Sequence, residues 1–240
     1  MKPALIFLNG YYDFRNLDFY QQEIETGIGN GATIICADGG LRIFDELNKI
    51  DDIHLLPDIL IGDLDSINDI VTKAQQTVKK WVGQTDKDYT DGQLAVKYAL
   101  DMYNSQHIIL YGGLPRPEEY ETDHFLGNLK LMRFGHYLTN YKLADFKAEM
   151  RDPQQTIHYV LSELRLKRKN SGLQRVSLFA EEADVVVESS QNLRWDLTSL
   201  HIDPDLTNAL RNEFVEGVEW AEIQLTENSA PVYVIHNWYD

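Results

Sequence analysis

The sequence has a single cysteine, Cys36, so no disulfide can form within the chain. Cys36 lies in the apolar run TIICAD, which predicts a buried, unreactive thiol. Basic residues are also scarce: 22 Lys and Arg stand against 38 Asp and Glu, a formal net charge of −16 at pH 7. With that balance nothing offsets phosphate repulsion, which excludes a general affinity for nucleic acid or anionic membranes. Small phosphorylated ligands that arrive carrying a metal ion are not excluded. No apolar run is long enough to span a membrane, and the one in MKPALIFLNG is too short for a secretory signal. The expectation is a soluble, cytoplasmic protein. There is no internal repeat, no low-complexity segment, no Walker loop and no dinucleotide fingerprint. The seven histidines are scattered and the cysteine is alone, so no zinc constellation exists.

What is present is a long stretch of alternating element types. The 240 residues are 43% hydrophobic and 11% aromatic, enough for one large domain or two modest ones. Strand-like runs fall at 4–10, 33–40, 59–66, 79–84 and 107–113, with amphipathic helical segments at 18–28, 40–50, 67–77, 91–104 and 123–136. Strands alternating with helices predict a mostly parallel sheet with helices on both faces. After about residue 141 the helical pattern ends. The runs KAEMRD, TIHYVLSEL, LQRVSLFA, DVVVESS, VEWAEIQL and PVYVIHNW, separated by polar turns, predict an antiparallel sandwich or barrel. The expected fold is therefore α/β at residues 1–141, followed by an all-β domain at 142–240. The basic run RLKRKN at 165–170 reads as a solvated hairpin loop.

Polar or glycine-bearing turns follow each N-terminal strand: Asn9-Gly10, Asp38-Gly39-Gly40, Gly62-Asp63-Leu64-Asp65-Ser66, GQTDKDYTD and Gly112-Gly113. In an open parallel sheet these turns share the carboxyl edge, where ligands bind. In IGDLDSI, an extended backbone would put Asp63 and Asp65 on one side, where they repel each other. A helix start capped by Ser66, a solvated acidic turn and a bound divalent cation each account for the pair taken alone. Thr90 and Gln93 fit a capping box, with Asp91 in the first helical turn. Leu94, Ala95, Tyr98, Ala99 and Met102 are the expected buried face of that helix. Capping leaves Asp86 and Asp88 unexplained. A crevice holding these carboxylates together with Asp63 and Asp65 is costly without a cation, and magnesium suits an all-oxygen set beside substrate phosphates. Gly39-Gly40 and Gly112-Gly113 allow close backbone approach to an anion. The residues thus point to a magnesium-dependent enzyme acting on a phosphorylated substrate, with the reaction undetermined.

The segments ADGG, PDILIGDLDSI, DKDYTDGQLAV and TDHFLGNL, in this order, resemble the thiamine pyrophosphokinase family, and LRWDLT and LRNEFVEG resemble its C-terminal segments. The resemblance implies transfer of pyrophosphate from ATP to the hydroxyl of thiamine, giving thiamine diphosphate and AMP. It implies a homodimer with an α/β nucleotide domain, a β-sandwich thiamine and dimerisation domain, Mg2+ and ATP as co-substrate. By resemblance Asp63, Asp65, Asp88 and Asp91 form the metal and phosphate site, with Asp63, Asp65 and Asp91 catalytic. Asp38, Gly39, Gly40, Asp88, Thr90, Asp123, His124 and Asn128 match nucleotide-site positions, and Lys87 stands where the family often has a glutamine near the phosphates. Trp195 and Asn212 match the thiamine pocket, which the family completes across the dimer interface.

Two departures from the family pattern bear on function. Before Asp123-His124 the family usually has glycine-glycine-arginine, whereas this chain has Tyr120-Glu121-Thr122. Arg116, in a longer preceding loop, is the residue expected to take over the phosphate contact. Arg211 replaces the serine usually found before the pocket asparagine, an awkward neighbour for cationic thiamine. These departures keep two alternatives in view: a non-catalytic thiamine- or nucleotide-binding member, and a pyrophosphokinase acting on another alcohol.

Overall fold

Short strands, the central ones apolar and buried on both faces, build the first part of the chain. The strands are β1 (Ala4–Phe7), β2 (Thr33–Ala37), β3 (Ile59–Ile61), β4 (Lys80–Val82), β5 (His107–Tyr111) and β6 (Lys147–Asp152). They lie in the order β6-β5-β1-β2-β3-β4, and every pairing between neighbours is parallel. The computed structural model describes residues 2–50, 53–62, 78, 80–83, 88–114 and 122–239. The described helices of this unit are α1 (Leu17–Gly29), α2 (Arg42–Leu47), α3 (Asp91–Tyr103) and α4 (Thr122–Leu138). The helical segment expected at 67–77 lies outside the described residues.

The two faces of the sheet are covered by different helices. Leu5, Phe7, Ile34, Cys36, Ile109 and Tyr111 pack with Tyr20 and Ile24 of α1 and with Ile43, Phe44 and Leu47 of α2. Alternation turns Ile6, Ile35, Ile108 and Leu110, all buried, to the opposite face, and α3 packs against β1, β2 and β3. Cys36 is fully buried, as expected, and burial raises its thiol pKa. The helix expected at 40–50 begins instead as a 3₁₀ turn, Asp38–Leu41, before α2. The buried face of α3 is also rotated from expectation: Ala95, Val96 and Ala99 are buried and Met102 is exposed. Gly92 explains the rotation, since the place of its Cβ lies 2.9 Å from Leu131 and 3.2 Å from Leu8, so the helix seats itself on that side.

The chain divides into two compact units, Met1–Pro153 and Gln154–Asp240, rather than at residue 141. The strand KAEMRD belongs to the first unit because β6 bonds in parallel register to β5, with His107 opposite Lys147 and Leu110 opposite Met150. Its side chains are tied there too. Arg151 donates to Glu149 at 2.8 Å and to Glu23 of α1 at 2.6 Å, and Tyr111 also donates to Glu23.

The second unit is all-β. One antiparallel layer runs β12 (Asn212–Glu213), β9 (Gln174–Ala180), β14 (Val232–Trp238), β7 (Gln155–Val160). The other runs β11 (His201–Ile202), β10 (Val185–Gln191), β13 (Trp220–Leu225), β8 (Glu163–Lys167). Val176, Leu178, Val232 and Val234 of the first layer share one core with Leu166, Val187, Ala221 and Ile223 of the second, which makes a sandwich. The run TIHYVLSEL is not one strand, because it breaks after Val160 and feeds one strand to each layer. The basic run RLKRKN is more than a solvated loop: Arg168 donates to the carbonyls of Val218 (2.7 Å), Gly172 (3.1 Å) and Val215 (3.0 Å), closing turns of the sandwich.

Beside that arginine lies a buried polar group with a pH consequence. His236 is 1% exposed, stacks on Phe214 and shares a 2.9 Å hydrogen bond with Oε1 of Gln174. Burial, with the charges of His158, Lys169 and Arg168, pushes its pKa down to about 3. The folded state therefore holds His236 neutral while the unfolded chain protonates it below its ordinary value of about 6.5. Its contribution is complete above that value and is lost as pH falls toward 3, by up to about 1.4 kcal/mol per pH unit. Urea unfolding between pH 7 and 4.5 is expected to show this decline. In His236→Phe, which keeps the stacked ring, the profile is expected to flatten over the same range.

Candidate active site

The carboxyl ends of the parallel strands are drawn together by contacts among their own turns. At the end of β1, Asn9 donates from Nδ2 to Oδ2 of Asp38, at the end of β2, at 2.8 Å. Gly62, after β3, lies against Asp38, with its Cβ direction 3.4 Å from the Asp38 backbone. Tyr12 packs its ring on Gly112 and donates to the carbonyl of Leu8 at 2.7 Å, binding the β1 turn to the end of β5. Asn128 of α4 donates to the carbonyl of Gly113 at 2.9 Å. The first turn of α3 is seated against Leu8 through Gly92. Asp38, Gly39, Gly40, Asp91 and Asn128 are thus brought to one edge of the sheet.

Asp38 is the residue under most constraint. Its backbone is left-handed, with φ = 46°, and its side chain is buried. One carboxylate oxygen is held by Asn9, while Oδ1 is buried with no hydrogen-bond partner among the described residues. A buried carboxylate oxygen left unsatisfied is expensive, and a hard cation or a donor from a ligand relieves it. Arg42, the first residue of α2, donates from Nε to the carbonyl of Gly39 at 3.1 Å and from Nη2 to Oδ1 of Asn9 at 2.5 Å. Asn9 and Arg42 are functional candidates that the sequence reading did not single out. The signal for Asn9 was its place at the end of β1; Arg42 had none beyond following the glycine pair.

The other expected site residues divide into three groups. Thr90 forms the capping box of α3, accepting from the Gln93 amide at 3.3 Å while its own amide donates to Gln93 Oε1 at 3.0 Å. Asp88 lies in the exposed turn just before it, and Asp123 and His124 are exposed on the first turn of α4. Asp63, Asp65, Lys87 and Arg116, together with Glu121, lie outside the described residues. Among the described residues no three His, Cys, Asp or Glu side chains gather as a metal set. The oxygen-only chemistry at this edge and the unsatisfied oxygen of Asp38 nevertheless fit magnesium.

Trp195 and Asn212 meet in the second unit. Asn212 is 3% exposed and its amide is held by the backbone: Oδ1 accepts from the backbone of Trp195 (3.1 Å) and Glu213 (2.8 Å), and Nδ2 donates to the Trp195 carbonyl (2.7 Å). Asn212 therefore positions the Trp195 segment. The Trp195 ring is 52% exposed, and the guanidinium of Arg194 lies 4.9 Å from its centroid, anchored by Glu213. Arg211 is exposed, with φ = 55°, and its amide donates to Ser177 Oγ at 2.9 Å.

The glycines at the carboxyl edge are required by the protein's own packing. A Cβ on Gly40 would lie 2.0 Å from the Phe7 carbonyl oxygen, and one on Gly113 would meet the Met150 sulfur at 2.7 Å. At Gly39 the obstacle is the Asn9 side chain, 2.1 Å away. The two neighbouring glycines should therefore respond differently. Gly40→Ala must displace the β1 backbone and is expected to cost about 2 kcal/mol or more, whereas Gly39→Ala can be met by rotation of Asn9 and should cost less. Denaturant midpoints of the two variants check this ordering; equal losses would mean that Asn9 cannot move.

Comparison with known proteins agrees with this arrangement. The model of the thiamin pyrophosphokinase catalytic domain matches residues 26–142. Similar solved structures include the thiamine pyrophosphokinase of Bacillus subtilis, at 20% identity and TM-score 0.71, with all of both chains covered. That of Geobacillus thermodenitrificans is 22% identical with TM-score 0.69, covering 99% of this chain and 97% of its own. The yeast enzyme is 16% identical with TM-score 0.70, covering 99% of this chain and 86% of its own. At these identities the likeness shows the fold. No curated protein matches the sequence. Residues 26–142, just under half of the chain, thus carry the match to the thiamin pyrophosphokinase family.

Proposed function

We propose that this protein transfers pyrophosphate from ATP to the hydroxyl of thiamine, releasing AMP. The observation that carries the reading is the family match over the segment that contains Asp38, Asp91 and Asn128, which lie toward the carboxyl edge of the sheet. In this scheme the substrate oxygen forms a bond to the β-phosphorus while the bond from that phosphorus to the α,β-bridging oxygen breaks. AMP leaves with the bridging oxygen, and the hydroxyl proton passes to a crevice carboxylate, assigned to Asp91. The chain's main task is to position the two reactants in line and exclude competing attack. Asp63, Asp65, Asp88 and Asp91 would hold Mg2+, which when bound screens the triphosphate charge. Trp195, in the second unit, is the proposed contact for thiamine. A homodimer completing the site and a cytoplasmic location belong to the same proposal; among the described residues no helix is long and apolar enough to cross a membrane.

A second reading keeps the chemistry and changes the acceptor. The Arg194 cation over Trp195 and the exposed Arg211 two residues before Glu213 favour it, because both place positive charge where cationic thiamine would bind. The purified protein, given ATP, Mg2+ and a panel of alcohols, is expected to release AMP with thiamine and form thiamine diphosphate. AMP with a different alcohol only would select the second reading, and no AMP with any would overturn both. Asp65→Asn is expected to keep the thermal midpoint and lose at least about 100-fold in turnover, as removal of a catalytic electrostatic contact does elsewhere.

A further inference from the structure

The carboxyl edge carries a cation that has no opposite charge paired with it among the described residues. Asp38 and Arg42 are one amide apart, yet they do not pair. Asn9 stands between them, giving its NH2 to the carboxylate at 2.8 Å and its oxygen to the guanidinium at 2.5 Å. Among the described residues the other partner of Arg42 is the Gly39 carbonyl, a neutral oxygen, at 3.1 Å. Among the described residues Arg42 forms no ion pair, although the chain carries 38 acidic residues against 22 basic ones. A guanidinium has five N–H donors, and these two bonds use two of them. Its side chain is partly buried and held at both ends of its fork, so its rotamer entropy is already spent.

We propose that Arg42 binds the phosphates of the nucleotide: fixed by Asn9 and Gly39, it presents its remaining donors to an anionic oxygen at the carboxyl edge of β1 and β2. The inference rests on reading this edge as a nucleoside triphosphate site. Asn9 then acts as a spacer. A direct Asp38–Arg42 salt bridge would cancel both charges, whereas the interposed amide keeps the carboxylate for a cation or donor and the guanidinium for an anion.

The test compares ligands that differ only in phosphate. Binding of ATP and of adenosine is measured by calorimetry on the parent, Arg42→Gln and Arg42→Lys, with thermal midpoints and the KM values for both substrates. Arg42→Gln keeps one neutral donor and is expected to weaken ATP by about 10-fold or more, the scale of a charge-assisted contact. Adenosine affinity and the KM for thiamine should stay within about twofold of the parent, and Arg42→Lys should lose less than Arg42→Gln. Should Arg42→Gln not fold, the Arg42→Lys comparison of ATP with adenosine carries the test. Unchanged ATP affinity, or equal losses for ATP and adenosine, overturns the inference, as does a parent that binds no ATP. A parent that binds ATP through Arg42 but makes no AMP overturns the proposed reaction and leaves the inference standing. A parent that makes AMP and is indifferent to Arg42→Gln does the reverse.

Discussion

Asn9 holds two opposite charges apart with a single amide, and the candidate site is organised around that separation. Its reach from β1 to Asp38 on the neighbouring strand end spans the turn where the chain leaves β2. That turn needs a left-handed residue at Asp38 and two glycines after it, since a side chain at Gly39 would strike Asn9 and one at Gly40 would strike β1 itself. The strain at Asp38, the buried unpartnered oxygen and the lone guanidinium occur within a few residues of one another. Costs clustered in this way mark a place shaped for a ligand, because folding alone would favour the direct ion pair.

The same edge shows why glycine patterns in sequence are ambiguous. Gly39-Gly40 and Gly112-Gly113 look like openings for an approaching phosphate. In the fold their Cβ directions are occupied by Asn9, Phe7, Tyr12 and Met150. The glycines let protein approach protein, and the anion contact falls to a side chain that they help to place.

The α/β architecture was legible because β1, β2, β3 and β5 are short apolar runs buried on both faces, and the helices between them carry separate amphipathic periods. The capping box at Thr90 and Gln93 was equally legible, being a local pattern with one geometric meaning. Properties set by distant partners were not. KAEMRD alternates like any half-buried strand, and nothing local tells that His107 and Leu110 will pair with it in parallel. Val96 takes the place expected of Met102 because Gly92 lets α3 settle against Leu8 and Leu131, a contact between elements far apart in sequence. In the site, the strand-end turns read from the sequence put Asp38 on the carboxyl edge, whereas the bonds tying Asn212 to the Trp195 backbone follow from no local pattern. Asn9 and Arg42 were hidden for the same reason as β6: their meaning lies in what faces them.

Arginines in this acidic chain fall into classes that only their partners reveal. Arg151 is committed to Glu149 and Glu23, and although burial alone would lower its pKa, those carboxylates with Tyr111 raise it overall. Its charge is consumed in fastening β6 to α1. Arg168 is committed to three backbone carbonyls that the turns of the sandwich leave without strand partners. Its donors are consumed in closing those turns. Arg42 is fastened as well, but by two neutral oxygens that orient its plane and leave its charge uncancelled. In a protein with a net charge of −16, a carboxylate partner is the easiest thing for an arginine to acquire. A partly buried arginine that lacks one among the described residues, one amide away from Asp38, is in the proposed scheme held for an anion from outside the chain.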